Sequence, residues 1–161
     1  MFFAIILSLT LAQSSLTHVV GVAGVRPDLV LVVVLGWAVW RGPTSGLRWA
    51  VIAGLCLDML SSGPFGALTV PLVIVALLAG WLGHGRLFGG YLVLPLLLTF
   101  PLSLLYYLIY LALVSLMGRP VLWVPMVSQI ALPASLLNLA ATIILLPPLH
   151  SLHRRSTRGL I

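Results

Sequence analysis

Residues 25–66 read VRPDLVLVVVLGWAVWRGPTSGLRWAVIAGLCLDMLSSGPFG. Both acidic residues of the chain, Asp28 and Asp58, fall inside this stretch. Three breaks punctuate it: Arg26-Pro27-Asp28, then Arg41-Gly42-Pro43, then Ser61-Ser62-Gly63-Pro64-Phe65-Gly66. Between the breaks lie two runs almost free of polar side chains. Gly and Pro end helices, so each apolar run reads as a helix bounded by its breaks. The pair reads as a helical hairpin with its charged ends on one side. A carboxylate is costly in lipid, so one kept in such a hairpin has work to do there.

The rest of the chain agrees with a membrane setting. Of 161 residues, 61% are hydrophobic and 6% are charged, and the mean hydropathy is +1.24. A soluble domain carries about 25% charged residues, so this composition cannot furnish a water-facing surface. No polar stretch is long enough to fold outside the bilayer. The expectation is one integral-membrane domain over residues 1–161, with a short basic tail at 150–161. The formal charge of +6 comes entirely from arginine. These arginines are scattered between apolar segments rather than lined up in a stripe, which excludes nucleic acid as a partner. Cys56 is the chain's one cysteine, so it forms no intrachain disulfide and reads as a small buried hydrophobe. Residues 1–12 lack the positive start of a cleavable signal, so the first segment reads as a retained membrane helix.

Six candidate spans follow, an all-α polytopic bundle of about six transmembrane helices. They cover roughly Phe2–Val20, Asp28–Trp40, Thr44–Ser61, Ala67–Gly83, Tyr91–Met117 and Val124–Leu149. The second is short. It rises about 20 Å against a bilayer core of about 30 Å. Either the Gly21–Pro27 linker dips into the membrane or the segment is re-entrant. The fifth is long enough to tilt, with Pro95 and Pro101 as sites for a kink. With six spans, Arg41, Arg48, Arg86, Arg154, Arg155 and Arg158 fall on one side, and Arg26 and Arg119 on the other. The positive-inside rule then puts the C-terminus in the cytoplasm. The tail arginines would meet anionic lipid there.

On this topology Asp28 starts the second helix and can cap its backbone N–H groups. Asp58 has no such local account. It lies about one turn from a helix C-terminus, where the dipole disfavours negative charge. The readings open at this point are the N–H groups of the Ser61–Gly66 turn, an ion pair with Arg26 or Arg119, and a contact with a partner or ligand. Gly46, Ala50, Gly54 and Asp58 recur every four residues, a small-residue face that permits close helix approach. Ala76, Ala79, Gly80 and Gly83 repeat the device in the next segment. The two faces suit each other, and either could receive a helix of another protein. In the last segment Ala131, Ser135, Asn138 and Thr142 form a small and polar stripe, with Asn138 facing the bundle. Gln13, Ser14 and Ser15 interrupt the first segment.

No cluster of His, Cys, Asp and Glu has metal-ligand spacing, and no histidine sits in mid-span beside a nucleophile. The glycine-rich turns lack the order of a phosphate loop. The expectation is a protein without enzymatic activity, cofactor or metal.

The ordered set Arg26-Pro27-Asp28-Leu29, Arg41-Gly42-Pro43 and Gly54-Leu55-Cys56-Leu57-Asp58-Met59-Leu60-Ser61-Ser62-Gly63-Pro64-Phe65-Gly66 resembles the bacterial rod shape-determining MreD family. So do Leu132-Pro133-Ala134-Ser135-Leu136-Leu137-Asn138 and the following Pro147-Pro148-Leu149 with its basic tail. The resemblance covers nearly the whole chain. It implies a fold similar to the substrate-binding components of energy-coupling-factor transporters. It also implies a non-enzymatic role in the inner-membrane rod complex, or elongasome, which directs lateral-wall peptidoglycan synthesis. The partner it implies is MreC, with RodA and its penicillin-binding transpeptidase, RodZ and MreB in the wider assembly. The chain departs from the family in having neither lysine nor glutamate, with Tyr106, Tyr107 and Tyr110 in the fifth segment.

The partner-binding residues expected on this reading are Gly46, Ala50, Gly54 and Asp58, with Ser62, Gly63, Pro64 and Gly66 of the turn. Arg26, Asp28 and Asn138 are expected to be structural polar groups. A transport component that binds a small molecule is the alternative, and it needs Asp28, Asp58 and Asn138 to converge on an outward cavity.

Overall fold

Asp28 sits where the sequence places it, at the head of a helix. A computed structural model of the protein describes residues 27–61, 63–84 and 93–158. The predicted first span, and the readings of Gln13, Ser14, Ser15, Arg26, Ser62 and Arg86, lie outside the described residues.

Helix α1 (Leu29–Arg41) has every residue from Val30 to Val39 buried. A helix that is apolar all round belongs in an interior, and this one packs against all four of the other long helices described below. That place accounts for its length. A helix surrounded by protein need not match the thickness of the hydrocarbon core. Gly42 ends it with a φ of 84°, in the region that glycine adopts without steric cost. The Gly42 N–H donates to the Ala38 carbonyl at 2.9 Å, and the Gly42 carbonyl accepts from the Gly46 N–H at 3.0 Å. A single residue thus closes α1 and opens α2 (Pro43–Leu60). Pro43 stands in the first turn, where its missing N–H has no helical partner to lose.

Helix α3 (Thr69–His84) lies against both arms of this hairpin. Their common core joins Leu31, Leu35 and Ala38 of α1 to Ala50 and Ala53 of α2 and to Leu72, Val75 and Ala76 of α3. Helix α4 (Val93–Leu116) adds Leu102 and Tyr106 to it. It runs unbroken through Pro101, a residue read as a kink site. The Thr99 hydroxyl donates to the Pro95 carbonyl at 2.7 Å in the same stretch.

The final helix is interrupted. One helical turn (Trp123–Met126) leads into a π-helical stretch (Val127–Ala131) and then into α5 (Leu132–Arg158). The sixth predicted span ended at Leu149. The helix instead continues through His150 to Arg158, so most of the basic segment extends the last helix. Among the described residues, Val93–Leu116 and Trp123–Leu145 are long and apolar enough to cross a membrane. Large exposed side chains such as Leu116, Val124 and Ile144 suit a lipid-facing surface.

Candidate functional site

The hairpin's second carboxylate finds its partners in the next helix. Asp58 is 5% exposed. Its Oδ2 accepts from the N–H of Gly66 at 3.0 Å and of Thr69 at 3.2 Å, and its Oδ1 from the N–H of Leu68 at 3.0 Å. The Thr69 hydroxyl also donates to Oδ2. Thr69 is the first residue of α3. A carboxylate placed poorly at the end of α2 is therefore placed well at the start of α3, where the dipole is positive and N–H groups lack helical partners. This resolves the open reading of Asp58 towards loop organisation, with a correction. Two of its three N–H donors lie beyond the Ser61–Gly66 turn, at the head of the following helix. Among the described residues, no arginine supplies the compensation. Arg119 stays exposed in the α4–α5 turn.

Asp58 thereby pins the loop that it precedes. Gly66 has a φ of 90°, which lets the chain turn its N–H back towards the carboxylate. The Ala67 N–H closes on the Pro64 carbonyl at 3.2 Å, and the Gly63 N–H on the Ser61 hydroxyl at 3.1 Å. Gly63, Pro64 and Gly66 are half-buried, whereas Phe65 is 65% exposed at the apex and Met59 is 76% exposed beside it.

The small-residue faces meet each other, as their pattern suggested. A Cβ added at Gly46 would lie 2.6 Å from the Ala38 Cβ of α1 and 3.3 Å from the Ala76 carbonyl of α3. At Gly54 it would lie 2.7 Å from the Thr69 Cα, and at Gly80 2.5 Å from the Pro43 Cα. Ala50, Ala76 and Ala79 are fully buried. The Gly46-Ala50-Gly54-Asp58 stripe is thus filled by the chain's own helices and leaves no room for a further one. The opposite face of α2, with Leu47, Val51 and Leu55, is exposed.

Asp28 caps α1, its Oδ1 accepting from the Leu31 N–H at 3.1 Å. Its backbone N–H donates to the Asn138 Oδ1 of α5 at 2.6 Å. Asn138 is fully buried, together with Ser135 and Thr142 of the same stripe. Ser135 and Thr142 donate to carbonyls one turn back, those of Ala131 and Asn138. The Thr142 and Thr99 hydroxyls lie 3.3 Å apart across the α4–α5 seam. Asp28 and Asn138 therefore come together, while the Asp58 carboxylate is engaged with residues 66–69.

Thr69 and Thr99 were not singled out from the sequence. Thr69 carried a legible signal, a capping-type residue at the head of an apolar run behind a glycine turn. Thr99 carried none, since a threonine inside an apolar helix reads alike wherever it points. At the other end of the hairpin, the Trp37 indole N–H donates to the Ser45 hydroxyl at 3.2 Å, and the Arg41 guanidinium lies 5.1 Å from the Trp37 ring centroid. Trp37 is buried, whereas Trp81 and Trp123 are exposed. Among the described residues, no group of His, Cys, Asp and Glu could hold a metal ion.

These features define a polytopic helical membrane protein whose acidic groups act on its own backbone. The carboxylates hold helix starts and a loop in place. The chain belongs to the MreD family: the family model for rod shape-determining protein MreD matches residues 1–156. No curated protein and no solved structure matches the chain. Family membership makes it a non-enzymatic, rod shape-determining membrane protein of the elongasome.

Proposed function

We propose that the protein is an integral-membrane scaffold that binds MreC and supports lateral-wall peptidoglycan synthesis and rod cell shape. Six helices cross the inner membrane with the C-terminus in the cytoplasm, in an arrangement similar to the substrate-binding components of energy-coupling-factor transporters. RodA with its transpeptidase, RodZ and MreB join through the wider complex. The arginine distribution supports the orientation, and the family supports the partners.

One observation carries the docking site: the loop that Asp58 pins presents an exposed Phe65 on a fixed backbone. An aromatic side chain on a pre-ordered loop binds with little conformational cost. On the topology above, this loop faces the periplasm, where the MreC domain lies. Gly46, Ala50, Gly54 and Asp58 then act on the partner indirectly, by fixing the hairpin that carries Gly63, Pro64 and Gly66. Exposed Met59 and Leu60 extend the surface.

The test uses Phe65→Asp, a change at an exposed apex that leaves the internal seams alone. Co-purification of MreC should fall while the amount of folded protein holds. Full recovery of MreC with this variant would rule out the loop as its contact. Asp58→Ala should reduce recovery as well, by releasing the loop.

A further inference from the structure

The turn between α1 and α2 carries positive charge that no acidic side chain answers. Arg41 closes α1 and Arg48 lies in the second turn of α2, and both are exposed. The chain's two aspartates sit at the opposite ends of these helices, Asp28 before α1 and Asp58 in the last turn of α2. Along the helix axes they are about 20 Å from Arg41 and about 15 Å from Arg48, at 1.5 Å per residue. Both already serve backbone N–H groups. The counter-charge of the turn therefore comes from elsewhere than the chain's acidic side chains.

The local structure holds these cations in place. The Arg41 guanidinium stacks on Trp37, whose indole N–H donates to Ser45 in the first turn of α2. Arg41 is thus kept beside that turn. Thr44 and Arg48, four residues apart, share the exposed face. A Cβ on Gly80 would meet Pro43, so the adjacent Trp81, 72% exposed, stands level with the turn. Exposed tryptophan marks the membrane–water boundary, which sets the two arginines at headgroup depth.

Beyond Arg48 the exposed surface of α2 turns apolar. Leu47, Val51 and Leu55 form a ridge at four-residue spacing, about 12 Å long. That covers most of one leaflet, about 15 Å deep. Close helix contacts in membranes favour small residues, and the small face of α2 is already filled by α1 and α3. A ridge of branched side chains beneath a pair of cations suits an acyl chain beneath a phosphate.

We infer that the α1–α2 turn binds one anionic phospholipid. Its phosphate is held by Arg48 and Arg41, with the Thr44 hydroxyl as a further donor. An acyl chain lies along Leu47, Val51 and Leu55. The site is at the end of α2 away from the docking loop, so its failure leaves the scaffold reading intact.

Native mass spectrometry of the full chain in detergent measures the lipids it retains. Dioleoylphosphatidylglycerol should bind about tenfold more tightly than dioleoylphosphatidylcholine, the scale of one charge-assisted hydrogen bond. Arg48→Gln should erase most of that preference, and Arg41→Gln part of it. Arg158→Gln removes the same charge from the tail and should leave the preference in place. Val51→Ser, which breaks the ridge at an exposed position, should weaken both lipids alike. Equal affinity for the two lipids, equal losses in Arg48→Gln and Arg158→Gln, or unchanged affinity in Val51→Ser would each overturn the site.

Discussion

The α1–α2–α3 unit and the α4–α5 seam join helices by different means. In the first, glycine and alanine let backbones approach until a single added carbon would collide with a neighbouring main chain. Its one buried carboxylate is saturated by four donors. In the second, bulkier residues and hydroxyls face each other. Threonine and serine there satisfy mainly carbonyls of their own helices, and a cleft remains. Within a bilayer there is no hydrophobic drive to close a helix seam, so van der Waals fit and hydrogen bonds decide how tightly helices join. The first unit has both in full. The second has them in part.

Four substitutions test that contrast, the largest expected effect first. Gly54→Leu drives a side chain into the Thr69 backbone at the start of α3. Overpacking of this kind costs about 3 kcal/mol or more, so folded yield should collapse in size-exclusion chromatography. A stable Gly54→Leu variant would show that the hairpin is no tighter than the seam. Asp58→Ala leaves the N–H groups of Gly66, Leu68 and Thr69 without their acceptor. A loss of about 2–3 kcal/mol is expected, read as a lower Tm together with faster proteolysis between Ser61 and Leu68.

Asn138→Leu should cost far less. It removes one interhelical hydrogen bond, worth about 0.6 kcal/mol on average in membranes. Its Tm should stay within a few degrees of the parent. A drop as large as that of Asp58→Ala would mean the α4–α5 seam depends on polar contacts as heavily as the hairpin does. Val124→Ala, at a site 80% exposed beside the π stretch, should change stability by less than about 0.5 kcal/mol. The same thermal unfolding series checks it.

Much of the hairpin was legible in residues 25–66. Arg-Gly-Pro marked the turn, the four-residue spacing of Gly46, Ala50 and Gly54 marked a packing face, and Asp28 before an apolar run marked a cap. Each of these is local, set by backbone sterics or by helical period, and local rules can be read from neighbouring residues. The target of the packing face was only half legible. The pattern shows that a helix can approach, and it says nothing about whether that helix belongs to the chain or to a partner.

Composition alone placed the protein in a membrane, because 6% charged residues cannot cover a water-facing surface. The turn residues likewise divided the chain into helices close to those observed. Only the tertiary structure decided what each buried polar group meets. The Asp58 carboxylate serves the start of α3, eight to eleven residues away. Asn138 receives a backbone N–H from 110 residues away. Those pairings depend on how helices rotate and cross once packed. Helical period limits which residues share a face, whereas the neighbour on that face is chosen by the packing of the whole bundle.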